Sequence, residues 1–472
     1  MKNIESFLVL LFVLIACSPQ NTEKSSIKEH QLFVKNLTDD QLLDTIQFYT
    51  FQYFWEGAEP NSGLARERFH MDDPQNDKNT VTIGGSGFGL MAILVGIHRG
   101  FITHQQGLER FESIVSFLEN ADRFHGVWPH WLNGETGKVK PFSTYDDGGD
   151  LVETAFLVQG LLAVKQFFHD GSEREKALSD KIDLLWRDVE WSWHQKDNEH
   201  VLYWHWSPNY GWKMNFPVKG YNECLIMYVL GVSSPTYPIN SASYHEGWAR
   251  NGAITGYHEK YGYTLTLNHN GAEEEGGPLF WAHYSYLGLD PRNLSDKYAD
   301  YWQNNVAQTM INRAHCIENE LVYKGYGENC WGLTSSYSVV GAADYFNGLI
   351  ADKPVSDSIS NKVSYAGHRP GFDLGIISPT AALSSIPYAP DEAITVMRHF
   401  YEDLGDKLMG KYGFYDAFSE EYDWWPKKYL AIDQGPIIVM IENYRSGLLW
   451  NLLMKNEDIQ NGLNKLGFNY NK

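Results

Sequence analysis

The side chains best suited to acid–base chemistry are concentrated in the segment 145–153, which contains the carboxylates Asp146, Asp147, Asp150 and Glu153. Asp150 and Glu153 are three residues apart at the predicted start of a helix, a spacing that places both side chains on one face. The two glycines that precede Asp150 let the backbone approach a bound molecule closely. Acidic residues at a helix start also cap it and interact favourably with its dipole. The pattern is therefore compatible with a structural role as well as a catalytic one.

Glu223 is a second candidate, because it is a lone acid at the start of a predicted apolar helix beside Tyr221 and Cys224. Apolar surroundings make a carboxyl group costly to ionise, and the raised pKa that results suits a general acid near neutral pH. The alternative is that Asn222 caps the helix and Glu223 is merely its neighbour. We treat Glu223 as the candidate general acid.

The carboxy-terminal third supplies two further acids, Asp416 and Asp433. Asp416 lies in a predicted loop between Tyr415 and Phe418, where it has no evident capping role, whereas Asp433 opens a predicted helix and is a natural cap. Hydrolysis of a glycosidic bond needs one protonated carboxyl group and one ionised carboxylate. The residues alone do not select the pair.

Aromatic residues and charge narrow the class of ligand. The chain has 16 Trp and 29 Tyr, which are dense at 186–212 and again at 415–425. Aromatic rings stack on the flat apolar faces of sugars, although most aromatic side chains fill cores. The 38 Lys and Arg against 59 Asp and Glu exclude a polyanionic partner such as nucleic acid. We expect a neutral oligosaccharide or polysaccharide as the substrate.

Familiar cofactor and metal motifs are incomplete. The glycines of 84–89 match neither a dinucleotide loop nor a nucleophile elbow, and we interpret them as a tight helix start. Tyr412 replaces the Ser or Thr of a Walker loop after 405–411. His245 and His258 each precede a Glu but lack the second His of a zinc protease, and 72–77 is an incomplete calcium loop. We expect no metal and no cofactor.

The amino terminus predicts export and lipid anchoring. Lys2 and the apolar run 7–16 precede Leu14-Ile15-Ala16-Cys17, which resembles a bacterial lipobox. The run is too short to span a bilayer core of about 30 Å. We expect a signal peptide at 1–16, a lipidated Cys17, a flexible polar tether at 17–36 and one domain at 37–472. The protein would be an exported monomer that is lipid-anchored to the bacterial cell envelope, in the periplasm or at the outer membrane.

The remaining cysteines, Cys224, Cys316 and Cys330, match neither a disulfide framework nor a zinc site. At most one disulfide can form, and Cys316 with Cys330 would be the pair. Three buried thiols are equally compatible with the spacing.

Helical periodicity predicts an all-α fold. The capping-box pattern at 38–41 predicts a first helix over 38–55. The other predicted helices cover 87–99, 103–121, 150–168, 173–192, 221–231, 239–250, 275–286, 295–313, 334–349, 390–404 and 433–454. Twelve helices fit an (α/α)6 toroid. The long loops 125–150, 203–220, 257–271 and 405–429 would then surround one mouth of the ring and form the cleft, and function concentrates on such loops.

These segments together resemble the glycoamylase-type domain of glycoside hydrolase family 144, the bacterial β-1,2-glucanases and sophorose-releasing enzymes. The resemblance spans about 38–455 and is carried by five segments in the right order: 145–155, 220–223, 331–336, 377–382 and 415–418. It implies an (α/α)6 toroid and an inverting hydrolase of β-1,2-linked glucose without a cofactor.

The resemblance also implies roles for individual residues. Glu223 corresponds to the general acid and Asp416 to the base, with Asp433 as the rival base. The remaining positions would shape the subsites or contact the sugar: Asp147, Asp150, Glu153, Tyr221, Trp281 and Trp331. Inversion predicts that the two catalytic carboxyl groups lie about 6.5–9.5 Å or more apart, with room for a water molecule.

Three alternatives stay open at this point. A polysaccharide lyase can also be an α/α toroid, although such lyases act on uronic acids, whose charge suits a basic cleft. A surface lipoprotein could bind glycans without cutting them. A hydrolase could cut another neutral glucan linkage. Endo and exo action are both compatible with the sequence.

Overall fold

The computed structural model describes residues 34–354 and 362–470, and these residues are mostly helical. The predicted signal peptide, Cys17 and all but the last three residues of the predicted tether lie outside the described residues. The α-helices are α1 (Asp39–Trp55), α2 (Ile83–His98), α3 (His104–Asn120), α4 (Leu151–Phe168), α5 (Glu173–Arg187), α6 (Leu225–Ser233), α7 (Tyr301–Glu318), α8 (Ala342–Phe346), α9 (Pro379–Leu383), α10 (Pro390–Glu402), α11 (Gly405–Leu408), α12 (Ala431–Ser446), α13 (Leu448–Met454) and α14 (Glu457–Leu466).

Short strands lie in the connections between the helices and form small antiparallel sheets of two or three strands. The strands are β1 (Arg68–His70), β2 (Thr80–Thr82), β3 (Trp131–Asn133), β4 (Val139–Lys140), β5 (Gly149–Asp150), β6 (His205–Trp206), β7 (Thr255–Lys260), β8 (Tyr263–Leu267), β9 (Ser335–Ser338), β10 (Ser364–Gly367), β11 (Met409–Gly410), β12 (Gly413–Phe414) and β13 (Lys428–Leu430). Two of these pairings, β1 with β13 and β5 with β6, join segments far apart in the chain.

Six of the α-helices among the described residues begin at a residue whose side chain caps them. Thr38 accepts a hydrogen bond from the backbone N–H of Gln41, and the Gln41 side chain accepts from the backbone N–H of Thr38. Thr103 and Ser172 form the same reciprocal box at the starts of α3 and α5. Each box satisfies amide groups that a helix start otherwise leaves unpaired.

The predicted helix over 334–349 is wrong in its first half. Residues Ser335–Ser338 form β9, which pairs with β10, and only Ala342–Phe346 is helical. Gly341 has φ of +87°, a left-handed conformation that ends any helix arriving from the amino-terminal side. The β-branched Val339 and Val340 also favour extended backbone. The short helix α9 is a second difference, because the periodicity does not predict it. It packs against α10 and α12.

Two helices contact each other through glycine. A Cβ atom on Gly87 of α2 would lie 2.1 Å from the carbonyl oxygen of Phe156, and one on Gly160 of α4 would lie 2.2 Å from that of Gly87. Only glycine permits this backbone approach. The glycines at the start of α2 therefore allow this helix to pack closely against α4. Their role in the fold is packing and not nucleotide binding.

The buried helices α2, α4, α6 and α12 build the core, and α1, α3 and α5, which bury only one side, cover them. Helix α4 is long and apolar enough to cross a membrane by composition, yet 83% of it is buried inside the fold. Cys224, Cys316 and Cys330 are free, buried thiols.

Candidate active site

A cavity of about 520 Å³ opens where several core helices begin, a volume within the range of about 300–1,000 Å³ usual for ligand sites. Three carboxylates, two cations and a set of aromatic rings dominate its wall. The lining residues are Glu67, Arg68, Thr82, His130, Trp131, Phe142, Glu153, Phe156, Trp204, Glu223, Phe280, Tyr284, Ser335, Tyr337, Tyr365, Leu430 and Ile432.

Helix starts position much of this wall. Thr82 precedes α2, Glu153 lies in the first turn of α4, and Leu430 precedes α12. Glu223 lies just before α6. Because helix starts carry partial positive charge, the cavity is a favourable place for polar and anionic groups.

Glu223 is held rigidly at the cavity wall. Its side chain lines the cavity but the residue is only 8% exposed. The hydroxyl of Ser285 donates to its carbonyl oxygen, and the same hydroxyl accepts from the backbone N–H of Ile226, which fixes the start of α6. Burial raises the pKa of the Glu223 carboxyl to about 7, and hydrogen bonds from its own backbone and from Cys224 offset this only in part. The carboxyl group can therefore hold a proton near neutral pH.

Glu153 faces the same cavity from α4. Its Oε2 accepts from the backbone N–H of Gly84 at 2.7 Å and from the Thr82 hydroxyl at 3.4 Å. A Cβ atom on Gly84 would lie 2.6 Å from that oxygen, so the glycine makes room for the carboxylate. Burial raises the pKa of Glu153 to about 7 against the lowering effect of the His130 charge. Glu153 thus also titrates in the neutral range.

Asp150 organises this side of the cavity. Its Oδ1 accepts from the backbone N–H of Glu153 and caps α4, while its Oδ2 lies 2.9 Å from His130 Nδ1 and accepts from Trp204 Nε1 at 3.1 Å. Asp150 itself is fully buried and, unlike His130 and Trp204, does not line the cavity. It acts on the cavity through the two rings that it orients.

The charge of His130 follows from its neighbours. Burial lowers the pKa of this imidazole, but the carboxylates of Glu153, Asp150 and Asp146 outweigh burial and raise it to about 10. Asp146 Oδ2 also lies 3.3 Å from His205 Nε2 and 4.0 Å from His130 Nδ1. The wall near Glu153 therefore carries a permanent imidazolium charge at neutral pH.

Asp416 and Asp433 form a buried pair behind the tyrosines of the wall. Asp416 Oδ1 and Asp433 Oδ2 are buried without another hydrogen-bond partner among the described residues, and a proton shared between the two carboxyl groups would satisfy both. Asp416 Oδ2 accepts from the backbone N–H of Tyr337 at 2.7 Å, and Asp433 Oδ1 accepts from the hydroxyl of Tyr284 at 3.4 Å. Burial raises the pKa of Asp416 to about 6 and that of Asp433 further, because the Asp416 charge adds to it. One proton therefore stays on Asp433 and is donated to Asp416.

Four of the residues predicted to touch the ligand lie elsewhere among the described residues. Asp147 bonds the side chain of Asn209 at 2.7 Å in a loop outside the cavity lining. Trp331 and Tyr221 are buried in the core, where the Tyr221 hydroxyl donates to Asn305. Trp281 packs beside Gly277 and His269. The aromatic or acidic type of these four residues does not predict whether each side chain faces the cavity, the core or another loop.

The sequence did not single out Glu67 and Arg68, which line the cavity side by side and form an ion pair at 3.8 Å. They enter it because β1 pairs with β13, which brings Arg68 opposite Leu430. Tyr337 and Tyr365 are likewise cross-strand partners in β9 and β10. Such long-range pairings leave no local motif. The long loops 125–150 and 203–220, by contrast, reach the cavity as the sequence predicts. They contribute His130, Trp131, Phe142 and Trp204, which the sequence analysis does not single out.

Comparison with known proteins identifies a family. The glycoamylase family model matches residues 215–457. An exo β-1,2-glucooligosaccharide sophorohydrolase of Parabacteroides distasonis is 45% identical over 446 residues, which are 91% of this chain. The chain spans 58% of the length of that curated relative.

Solved structures agree. An endo-β-1,2-glucanase from Chitinophaga pinensis in complex with sophorotriose and glucose is 59% identical, with a TM-score of 0.86 over 92% of this chain and 99% of the other. The β-1,2-glucanase of Parabacteroides distasonis is 42% identical, with a TM-score of 0.82 over 91% of this chain and 60% of the other. A fungal endo-β-1,2-glucanase from Talaromyces funiculosus shares the fold at 13% identity and a TM-score of 0.63.

Proposed function

We propose, because this chain belongs to the glycoamylase family, that it is a glycoside hydrolase that cleaves β-1,2-linked glucan or its oligosaccharides. The observation that carries the proposal is Glu223, a buried carboxyl group that lines an aromatic cavity and keeps its proton near neutral pH. Relatives at 45% and 59% identity are named for hydrolysis of this linkage. The family number 144 is part of the proposal and is supported by the five matching segments.

Glu223 is the general acid in this proposal. Protonation of the glycosidic oxygen turns a poor leaving group into an alcohol, and a carboxyl group with a pKa of about 7 can both hold and release that proton at neutral pH. The neighbouring aromatic rings Phe280 and Tyr284 line the same cavity and limit the water around the carboxyl group. Their apolar surfaces also suit the faces of glucose rings.

Asp416 is the proposed base of an inverting mechanism. With a pKa of about 6 it is ionised at neutral pH, and the proton held on Asp433 keeps its charge hydrogen-bonded. It lies behind Tyr337 and Tyr284, so the proposal requires a water molecule or a movement of these tyrosines to connect it with the anomeric carbon. Inversion allows this, because the base acts on water and never on the sugar itself.

Glu67 and Glu153 are the rival bases, since both line the cavity directly. Azide distinguishes the three carboxylates. It can replace the activated water in a variant that has lost the base, so it should restore turnover in Asp416→Asn and yield a glycosyl azide of inverted configuration. If azide restored turnover in Glu67→Gln or Glu153→Gln but not in Asp416→Asn, the rescued position would be the catalytic base and Asp416 would not.

The alternation of core and covering helices supports an (α/α)6 toroid. Along the chain the covering α1, α3 and α5 alternate with the buried α2, α4 and α6, and α12 packs on α2 and α1. The 3₁₀ segments Leu279–Ala282 and Tyr284–Leu287 and the short α9 take the remaining inner positions in this proposal. In such a ring the inner helices all begin at the same end of the toroid.

We further propose that the chain is exported and held on the membrane through a lipid on Cys17. The lipobox-like segment 14–17 and the polar residues that follow it support this proposal. Metabolic labelling with a radioactive fatty acid tests it. Wild-type protein should carry label that Cys17→Ala lacks, and equal labelling of the two would contradict it.

The substrate is tested by incubation with linear and cyclic glucans of defined linkage, followed by product chromatography and reducing-end assay. New reducing ends from β-1,2-glucan alone are expected. Release of sophorose from one chain end indicates exo action, and a ladder of sizes or cleavage of cyclic glucan indicates endo action. Cleavage of another linkage, an unsaturated ultraviolet-absorbing product, or binding without new reducing ends would overturn the proposal.

A further inference from the structure

Three side chains of different chemical type converge outside the active-site cavity. A ring nitrogen of His399, the Sγ of Cys330 and a carboxylate oxygen of Glu420 lie within 4.8 Å of one another. They come from distant parts of the chain: the turn closed by Gly327 and Cys330, helix α10, and the loop between β12 and β13. We propose that Cys330, His399 and Glu420 bind a zinc ion, with solvent in a fourth position.

One ring nitrogen of His399 already has a carboxylate partner, as in many metal-bound histidines. Its Nδ1 lies 2.8 Å from Asp403 Oδ2, one helical turn further along α10. With the proton on Nδ1, Nε2 keeps a free lone pair. Metal-bound histidines almost always give their other ring nitrogen to a carboxylate or carbonyl in this way, which fixes the ring and raises its basicity.

The other two ligand groups lack a positive partner. Cys330 is a free thiol that is 3% exposed, and no described residue forms a salt bridge with Glu420, whereas the nearby Lys407 pairs with Asp423. Burial and the Glu420 charge raise the pKa of the Cys330 thiol. A divalent cation would compensate this carboxylate, and the thiol would release its proton to solvent as the Sγ–Zn bond forms.

The distances require only a small adjustment. Zinc bonds of about 2.0–2.3 Å in a tetrahedron place ligand atoms about 3.3–3.8 Å apart. The ligand atoms lie within 4.8 Å of one another, so each pair must close by about 1.0–1.5 Å at most. His399 and Glu420 are partly exposed and can move, while Cys330 is fixed in the core. A surface cavity of about 420 Å³ includes His399, Asn329 and Asp403 in its lining, so the histidine side of the group adjoins solvent.

A second group of metal-ligand types, His130 with Asp146 and Asp150, is less suitable. Asp150 Oδ2 already contacts His130 Nδ1 and accepts from Trp204, and the His130 imidazolium is paired with the carboxylates of both Asp150 and Asp146. That group is held by contacts within the protein. Among the described residues, no hydrogen bond or salt bridge engages the side chains of Cys330 and Glu420.

Zinc titration of chelator-treated, untagged protein tests the proposal. Calorimetry in a buffer with a competing chelator should give one tight site per chain, and cobalt should bind there with the near-ultraviolet charge-transfer absorption of a cobalt–thiolate bond. Cys330→Ala should abolish that absorption. His399→Ala and Glu420→Gln should weaken zinc binding at least tenfold. Zinc should raise the melting temperature of wild type but not of these variants.

Two matched variants serve as controls. Cys316→Ala removes another buried thiol, and Glu421→Gln removes the neighbouring exposed carboxylate, which accepts from the backbone N–H of Lys324. Both should bind zinc as wild type does, and circular dichroism checks the fold of every variant. Wild type without a tight site would overturn the proposal, as would folded Cys330→Ala and Glu420→Gln proteins that bind zinc with wild-type affinity.

Discussion

The carboxylate of Asp150 lies 2.9 Å from Nδ1 of His130 while its other oxygen caps helix α4. One side chain thus starts a core helix and orients an imidazolium at the cavity wall. The sequence left the capping and functional interpretations of the acidic segment 145–153 open as alternatives. In the structure one oxygen of Asp150 caps the helix and the other contacts the His130 and Trp204 rings of the cavity wall.

Substitution at Asp150 separates these two roles. Asp150→Asn keeps a good capping residue but loses the charge, so the pKa of His130 should fall from about 10 and kcat/KM should fall about ten- to hundredfold through misplacement of the wall. Asp150→Ala should also lose about 1–2 kcal/mol of unfolding free energy. NMR titration of His130, kinetics and denaturant unfolding measure the three quantities.

Asp300 provides the control, because it caps α7 by accepting from the backbone N–H of Gln303 without touching the cavity. Asp300→Ala should cost a similar unfolding free energy and leave kcat/KM unchanged. Wild-type kcat/KM in Asp150→Asn would show that the charge on Asp150 has no part in the reaction.

The pair formed by Asp416 and Asp433 predicts a shift in the acid limb of the pH profile. The hydrogen bond from Asp433 lowers the pKa of Asp416 against the effect of burial. Asp433→Ala removes that donor, so the pKa of Asp416 and the acid limb of kcat/KM should move to higher pH. Asp433→Asn keeps an N–H donor and should shift the limb much less. If Asp433→Ala and Asp433→Asn had the same acid limb of kcat/KM, the hydrogen bond from residue 433 would not set the pKa of the base.

The wild-type pH profile should be a narrow bell. Asp416 must be ionised, which requires a pH above about 6, and Glu223 must be protonated, which requires a pH below about 7. The kcat/KM on a neutral oligosaccharide should therefore be greatest between these values and fall tenfold per pH unit well outside them. Activity that stays constant up to about pH 9 would contradict Glu223 as the acid.

Ionisation of Glu223 should lower the free energy of unfolding. Its pKa is raised from 4.5 to about 7 on folding, so the folded state binds the proton more tightly and the unfolding free energy falls as pH rises across that interval. The full effect is roughly 3 kcal/mol. Glu223→Gln should therefore be more stable than wild type in denaturant at pH 8 and about equal to it below pH 4.5.

Local signals predicted many of the helices, and long-range pairing explains much of the remainder. The capping box at 38–41 placed the start of α1 within one residue, and the burial of Glu223 followed from its apolar neighbours. The predicted helices over 239–250 and 275–286 are instead short π and 3₁₀ segments. Glu67 reaches the cavity through strand pairing between β1 and β13, which no short motif encodes. Likewise, the aromatic character of Trp331 does not reveal that it faces the core.

The most direct test of the whole account is turnover of β-1,2-linked glucan oligosaccharides by Glu223→Gln, with products followed by chromatography. The variant keeps the shape of the side chain and loses only the transferable proton, so kcat should fall by about 10²- to 10⁴-fold while the protein stays folded and still binds the oligosaccharide. A folded Glu223→Gln protein with kcat within a few-fold of wild type would contradict the account.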